Sequence, residues 1–141
     1  MRIVLDTNVL VSALLHPQRK PARVLEKILK GEVTILIDER ILREYDEVLH
    51  LPKFDFPRHG ITEVLEYFLL EGERVLPESL KVDLPDLDDL PFLEVAVSAA
   101  AEALVTGNKR HFPADRRHGV RVTSPAEFLD WLQRTPHHPP G

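Results

Sequence analysis

Cysteine is absent from the 141 residues, which excludes disulfide staples, thiolate zinc sites, iron–sulfur clusters and thiol nucleophiles, and fits a reducing compartment. Aromatic residues are scarce, six Phe, two Tyr and one Trp, too few for a dedicated base-stacking platform. Positive charge is also in deficit: 18 Lys+Arg stand against 23 Asp+Glu, for a formal net charge of −5. A chain of this balance does not grip nucleic acid through a global positive field, so any such contact is local. Short basic clusters occur at Arg19-Lys20-Arg23, Arg40-Arg43, Lys109-Arg110-His111 and Arg116-Arg117-His118, a pattern that solvated loop and helix faces produce as well. The opening apolar stretch carries Asp6 and Asn8, so it is neither a signal-peptide core nor a membrane span, and the expected location is cytoplasmic with no membrane partner.

What remains is a chain that is 43% hydrophobic and 29% charged, enough to build one conventional core but not two. One domain is expected over residues 1–134. The tail 135–141, Thr-Pro-His-His-Pro-Pro-Gly, has no apolar side chain to dock and is expected to be disordered, its histidine pair inert. No internal repeat is visible.

Apolar runs at 2–5, 33–37, 103–106 and 120–123 read as strands, the first three as buried ones, and a short extended stretch is expected near 74–76. Helices are expected at 9–15, from about Pro21 to Gly31, from an Asp38 N-cap to about His50, at 61–71 before Gly72, and at 92–102. In the fourth of these Val64, Leu65, Phe68 and Leu69 should face inward. A last helix follows Ser124-Pro125-Ala126-Glu127, which combines an N-cap, an N1 proline and an N3 glutamate. Strands alternating with helices imply a three-layer α/β/α sandwich around a mostly parallel sheet of four to five strands. Ligands of such folds bind beyond the carboxyl ends of the strands, where the winding direction switches.

Four polar positions address that edge. Asp6 ends the most apolar strand, where it is either a cap for the next helix or a ligand. Glu44 shares the helix face of Ile41, Tyr45 and Val48, with pairing to Arg40 as the alternative. Asp89, three residues before Phe92, points along the inward face of its helix, with Asp88 a close competitor and helix capping the other reading. Asn108 follows a strand in a Gly-Asn turn. Three carboxylates within about 4 Å of one another would repel by roughly 4 kcal/mol per ionised pair at an effective dielectric near 20, so they need a cation. Without cysteine, and with no histidine at a recognisable ligand spacing, the expected donor set is all oxygen and the expected ion is Mg²⁺ or Mn²⁺. The chemistry of such ions is phosphoryl transfer or phosphodiester hydrolysis.

The segments Ile3-Val-Leu-Asp6-Thr-Asn8, Ile41-Leu-Arg-Glu44-Tyr45 with Val48-Leu49, Asp86-Leu-Asp-Asp89 before Phe92-Leu-Glu-Val-Ala96, and Leu104-Val-Thr-Gly-Asn108-Lys with His111-Phe-Pro together resemble the PIN domain (PilT N-terminus-like). This is the small nuclease fold found in toxin components of bacterial toxin–antitoxin pairs. The resemblance implies Asp6, Glu44 and Asp89 as a catalytic, metal-binding triad, supported by Thr7 and Thr106, with Asn8 and Asp88 beside it. Asn108 stands at a fourth position that is often aspartate, which makes one tightly held ion the expectation. It further implies metal-assisted hydrolysis of single-stranded RNA, with Arg19, Lys20, Lys109 or Arg110 as phosphate contacts, a cognate antitoxin partner, and homodimerisation. Two alternatives stand beside it: a catalytically weak RNA- or partner-binding module of the same fold, and a phosphorelay receiver.

Overall fold

The apolar run at the start of the chain is strand β1 (Arg2–Leu5) in the computed structural model, which describes residues 1–135. Ile3, Val4 and Leu5 are wholly buried, as expected of a central strand covered on both faces. It pairs in parallel with β2 (Thr34–Ile37), Ile3 beside Ile35, and with β4 (Ala103–Val105), Val4 beside Leu104. Strands β3 (Glu73–Arg74) and β5 (Val122–Thr123) extend the sheet outward, also in parallel. The five strands run in the order β3-β2-β1-β4-β5. Winding therefore reverses between β1 and β4, and in open α/β sheets it is the crevice beyond the carboxyl ends of the strands at this switch point that binds ligands. A receiver has the order 2-1-3-4-5, so this topology rules that alternative out.

Helices α1 (Thr7–Leu15), α2 (Lys20–Leu29) and α6 (Pro125–Arg134) pack together over one face. Over the other lie α3 (Glu39–Leu49), α4 (Arg58–Glu71) and α5 (Leu90–Ser98), completing the three-layer α/β/α sandwich. Beneath the crevice the rings of Tyr45 and Phe68 meet edge to face at 5.9 Å, with Phe92 at 6.4 Å from Tyr45. The Tyr45 hydroxyl donates to the carbonyl of Leu5, tying α3 to the strand that ends in Asp6.

Several caps form as the sequence implies. Asp38 accepts from the amide of Ile41 at 2.8 Å, and the box at Ser124 and Glu127 is complete. The helix expected over 92–102 differs: it begins at Leu90 and stops at Ser98. Its end is a Schellman turn, with the amides of Ala100 and Ala101 donating to Val97 and Ala96 and Ala100 at φ +51°. That position usually calls for glycine, so the sequence carries no stop signal there. In α4, Ile61 and Phe68 form the buried seam, whereas Leu69 is half exposed rather than inward. Thr135 still bonds the carbonyl of Trp131 at the end of α6; the expectation of disorder for 136–141 lies outside the described residues.

Candidate metal centre

Asp6 occupies the backbone N-cap position of α1, yet its carboxylate makes no cap bond. It accepts instead from the Thr106 hydroxyl at 2.7 Å, across the β1/β4 boundary. Its own amide donates to the carbonyl of Val105 at 2.9 Å, so the ladder runs up to the site and aims the side chain into the crevice.

Asp89 ends a 3₁₀ turn (Leu87–Asp89) that leads into α5. The helix phase separates the two competing aspartates: Asp89 is buried and Asp88 exposed. Asp89 makes no cap bond either. Its Oδ2 is buried without a hydrogen-bond partner, a costly state for a carboxylate oxygen. His111 Nδ1 stands 3.1 Å from it, without the alignment of a hydrogen bond. Ligating atoms of Asp6, Asp89 and His111 all lie within 4.8 Å of one another.

Glu44 sits half-buried on α3, and its carboxylate accepts from the Thr7 hydroxyl. It is not paired with Arg40. That guanidinium reaches Asp38 at 2.8 Å and Glu94 at 2.7 Å, while Glu94 also accepts from the amide of Leu80 at 2.7 Å. Buried Asp38 and Glu94 with Arg40 thus staple α3, which carries Glu44, to α5, whose N-cap is Asp89.

Burial and neighbouring acidic charges act on all three carboxylates. Burial pushes Asp89 up to about 7, reinforced by the charges of Asp6, Asp86 and Glu44 against the opposing pull of His111. Burial also raises Asp6, against hydrogen bonds from Thr106 and the Thr7 backbone. It raises Glu44 in the same way, with Asp6, Asp88 and Asp86 adding to the effect. Carboxylates arranged so that each resists ionisation of the next, with one buried oxygen left unpartnered, suit a bound cation.

Two turn residues complete the surroundings of the carboxylates. His111 places a ring nitrogen within the same 4.8 Å as carboxylate oxygens of Asp6 and Asp89, an approach that no histidine spacing in the sequence reveals because segments far apart in the chain converge here. The available signal was Phe112, which is wholly buried and anchors the 3₁₀ turn Lys109–His111. Asn108 Oδ1 accepts from the amide of Arg110 at 3.2 Å and caps that turn, the role its Gly-Asn setting allows. Asn8 is a brace as well, accepting from the amide of Gly107 at 3.1 Å, and a β-carbon at Gly107 would crowd it at 3.3 Å.

Among the basic residues singled out, Lys109 is engaged with Glu127 at 2.8 Å, which together with the Ser124 amide holds Glu127 down to about 2. Arg19, Lys20 and Arg110 are exposed.

A profile of the PIN domain matches residues 2–110. The chain belongs to the PIN domain family. An uncharacterised protein of Methanocaldococcus jannaschii, MJ1680, is 25% identical over 146 residues, covering 95% of this chain and 93% of that protein. Among solved structures, a chain of VapBC2 from Rickettsia felis, crystallised bound to a DNA fragment from its promoter, superposes with a TM-score of 0.54. It is 20% identical, with 86% of this PIN chain and 97% of the other covered. PAE2754 from Pyrobaculum aerophilum gives a TM-score of 0.54 at 14% identity over 95% and 90% of the two chains. At these identities the structural likenesses establish the fold. No helix among the described residues is long and apolar enough to cross a membrane.

Proposed function

We propose that this PIN domain is a divalent-metal-dependent endoribonuclease that hydrolyses phosphodiester bonds of single-stranded RNA and serves as the toxin of a toxin–antitoxin pair. The carrying observation is the unpartnered, buried Oδ2 of Asp89 facing Asp6 and His111 at the carboxyl edge of β1 and β4. Family membership supports the nuclease class, and the likeness to a VapBC2 chain supports the pairing with an antitoxin.

Asp6 and Asp89 would hold the ion, Mg²⁺ or Mn²⁺ by the resemblance. When bound, such an ion polarises a scissile phosphate and makes water a competent nucleophile near neutral pH. The chain's own residues supply the rest. Thr106 orients the Asp6 carboxylate through its hydroxyl, fixing which oxygen faces the crevice. Thr7 holds Glu44 at the rim, where its raised pKa suits it to accept a proton from the attacking water. Arg19, Lys20 and Arg110 would take phosphates flanking the cleaved bond, positioning the strand without reading its bases. A hollow this acidic would also attract a cationic antitoxin segment. A cytoplasmic location and homodimerisation belong to the same proposal.

Labelled single-stranded RNA incubated with Mg²⁺ or Mn²⁺ tests this reading. The parent should cleave, and Asp6→Asn and Asp89→Asn should each lose on the order of 10²-fold or more, the worth of several kcal/mol of transition-state charge stabilisation. Unchanged cleavage in both variants would show that the site is elsewhere. The weak-module alternative draws on Asn108, which stands where the family often has aspartate, and it predicts metal binding by the parent with no cleavage by the parent or by either variant.

A further inference from the structure

We infer that His111 is a direct metal ligand, and that it turns the centre from an alkaline-earth site into one selective for a first-row transition dication such as Mn²⁺ or Co²⁺ over Mg²⁺. The inference rests on the metal-centre reading above and deepens it.

Three observations carry it. First, His111 Nδ1 and Asp89 Oδ2 are 3.1 Å apart, and two donors at about 2.1 Å from one ion in adjacent octahedral positions stand roughly 3.0 Å apart. Second, that proximity is not a hydrogen bond, for Oδ2 is buried and unpartnered, and the imidazole itself has no hydrogen-bond partner among the described residues. The two groups form an ion pair only when the imidazole is protonated; with the imidazole neutral, the ring nitrogen and the carboxylate oxygen are both available to an ion. Third, the ring is held in place from behind. Phe112 is wholly buried, its carbonyl accepts from Arg117 Nε at 2.7 Å, and Asn108 caps the turn that presents His111.

The chemistry of selection follows from donor type. Mg²⁺ prefers oxygen and sheds water reluctantly, so an imidazole beside two carboxylates offers it little. First-row transition ions gain from the nitrogen, increasingly from Mn²⁺ to Co²⁺ and beyond. Loss of the nitrogen should therefore weaken transition ions much more than Mg²⁺.

The test uses the full chain stripped of metal, with Mn²⁺, Co²⁺ and Mg²⁺ themselves as probes. Mn²⁺ binding is followed by electron paramagnetic resonance, nitrogen coupling by electron spin-echo modulation, Co²⁺ by visible absorption, and Mg²⁺ by competition. The parent should show nitrogen coupling and bind Mn²⁺ at least about tenfold tighter than Mg²⁺. His111→Gln, with a thermal unfolding curve matching the metal-free parent, should lose the coupling and most of that preference. His111→Asn serves as a second variant should glutamine disturb the turn. Mn²⁺ bound in an Asp6-dependent manner without nitrogen coupling, or coupling that survives in His111→Gln, overturns the assignment of His111 and leaves the metal centre standing. Absence of any binding that Asp6→Asn abolishes overturns both.

Discussion

Asp89 concentrates the tension of the site in one side chain. Burial and the neighbouring charges raise it to about 7 in the folded protein, against about 3.9 in an unfolded chain. The folded state therefore binds this proton more tightly than the unfolded state does. Its contribution to stability is fully present below about pH 4 and is lost progressively as pH rises through about 7. Raised values at Asp6 and Glu44 act in the same direction. Thermal unfolding of the metal-free protein in chelator should accordingly show the melting temperature falling between about pH 5 and 8. Added Mn²⁺ should restore more stability at pH 8 than at pH 5, because the ligands must shed protons to bind. Asp89→Asn should flatten the pH dependence and raise the melting temperature of the metal-free protein at pH 8. A parent whose melting temperature rises across this range would show that these carboxylates are not coupled in the way the geometry implies.

At the scale of elements, the staple of Asp38, Arg40 and Glu94 has the clearest mechanical role, since it joins the two helices that present Glu44 and Asp89. Arg40→Met keeps the aliphatic stem but leaves two buried carboxylates without their counter-charge. A fully buried pair broken in this way costs roughly 3–5 kcal/mol, and the guanidinium here keeps some water, so about 2 kcal/mol is expected in chemical denaturation. Ala100 offers a change of opposite sign. A non-glycine residue in the left-handed region costs about 1 kcal/mol, so Ala100→Gly should stabilise by about 0.5–1 kcal/mol with the site untouched.

The same two places show what could and could not be read from residue order. The alternation of apolar runs with amphipathic stretches encodes the sandwich, whereas the offsets to Phe92 leave Asp88 and Asp89 as competitors and only burial in the fold separates them. Ala100 concealed the end of α5 because its backbone is imposed by the chain entering β4 rather than by its own preference. Arg40 lies one turn from Glu44 on the same helix, yet its partners come from the end of β2 and from α5. Asn108 caps its turn as its Gly-Asn setting allows, whereas the approach of His111 to Asp89 is set by tertiary convergence. Whether a turn residue aims at a crevice or at its own backbone depends on the anchor that follows, here Phe112, and on a carboxylate 22 positions upstream at Asp89.

For the molecule as a whole, the net charge of −5 repels a polyanion, and attraction must come from a few local cations. Lys109 is neutralised by Glu127, which leaves Arg19, Lys20 and Arg110 as the phosphate contacts proposed above. Each phosphate neutralised on a single strand contributes a slope of about −0.7 to the dependence of log affinity on log salt, so three contacts predict about −2. Fluorescence anisotropy of labelled RNA with the cleavage-impaired Asp6→Asn variant, between about 50 and 200 mM salt, measures that slope. Arg110→Glu should weaken binding well beyond the effect of Lys109→Glu, because only the first removes a charge the strand can use. A slope steeper than about −4 would require a far broader cationic footprint than these residues provide. Equal losses from the two substitutions would mean that Lys109 leaves Glu127 for the strand, and the ion pair would then be a latch opened by substrate rather than a fixture of the fold.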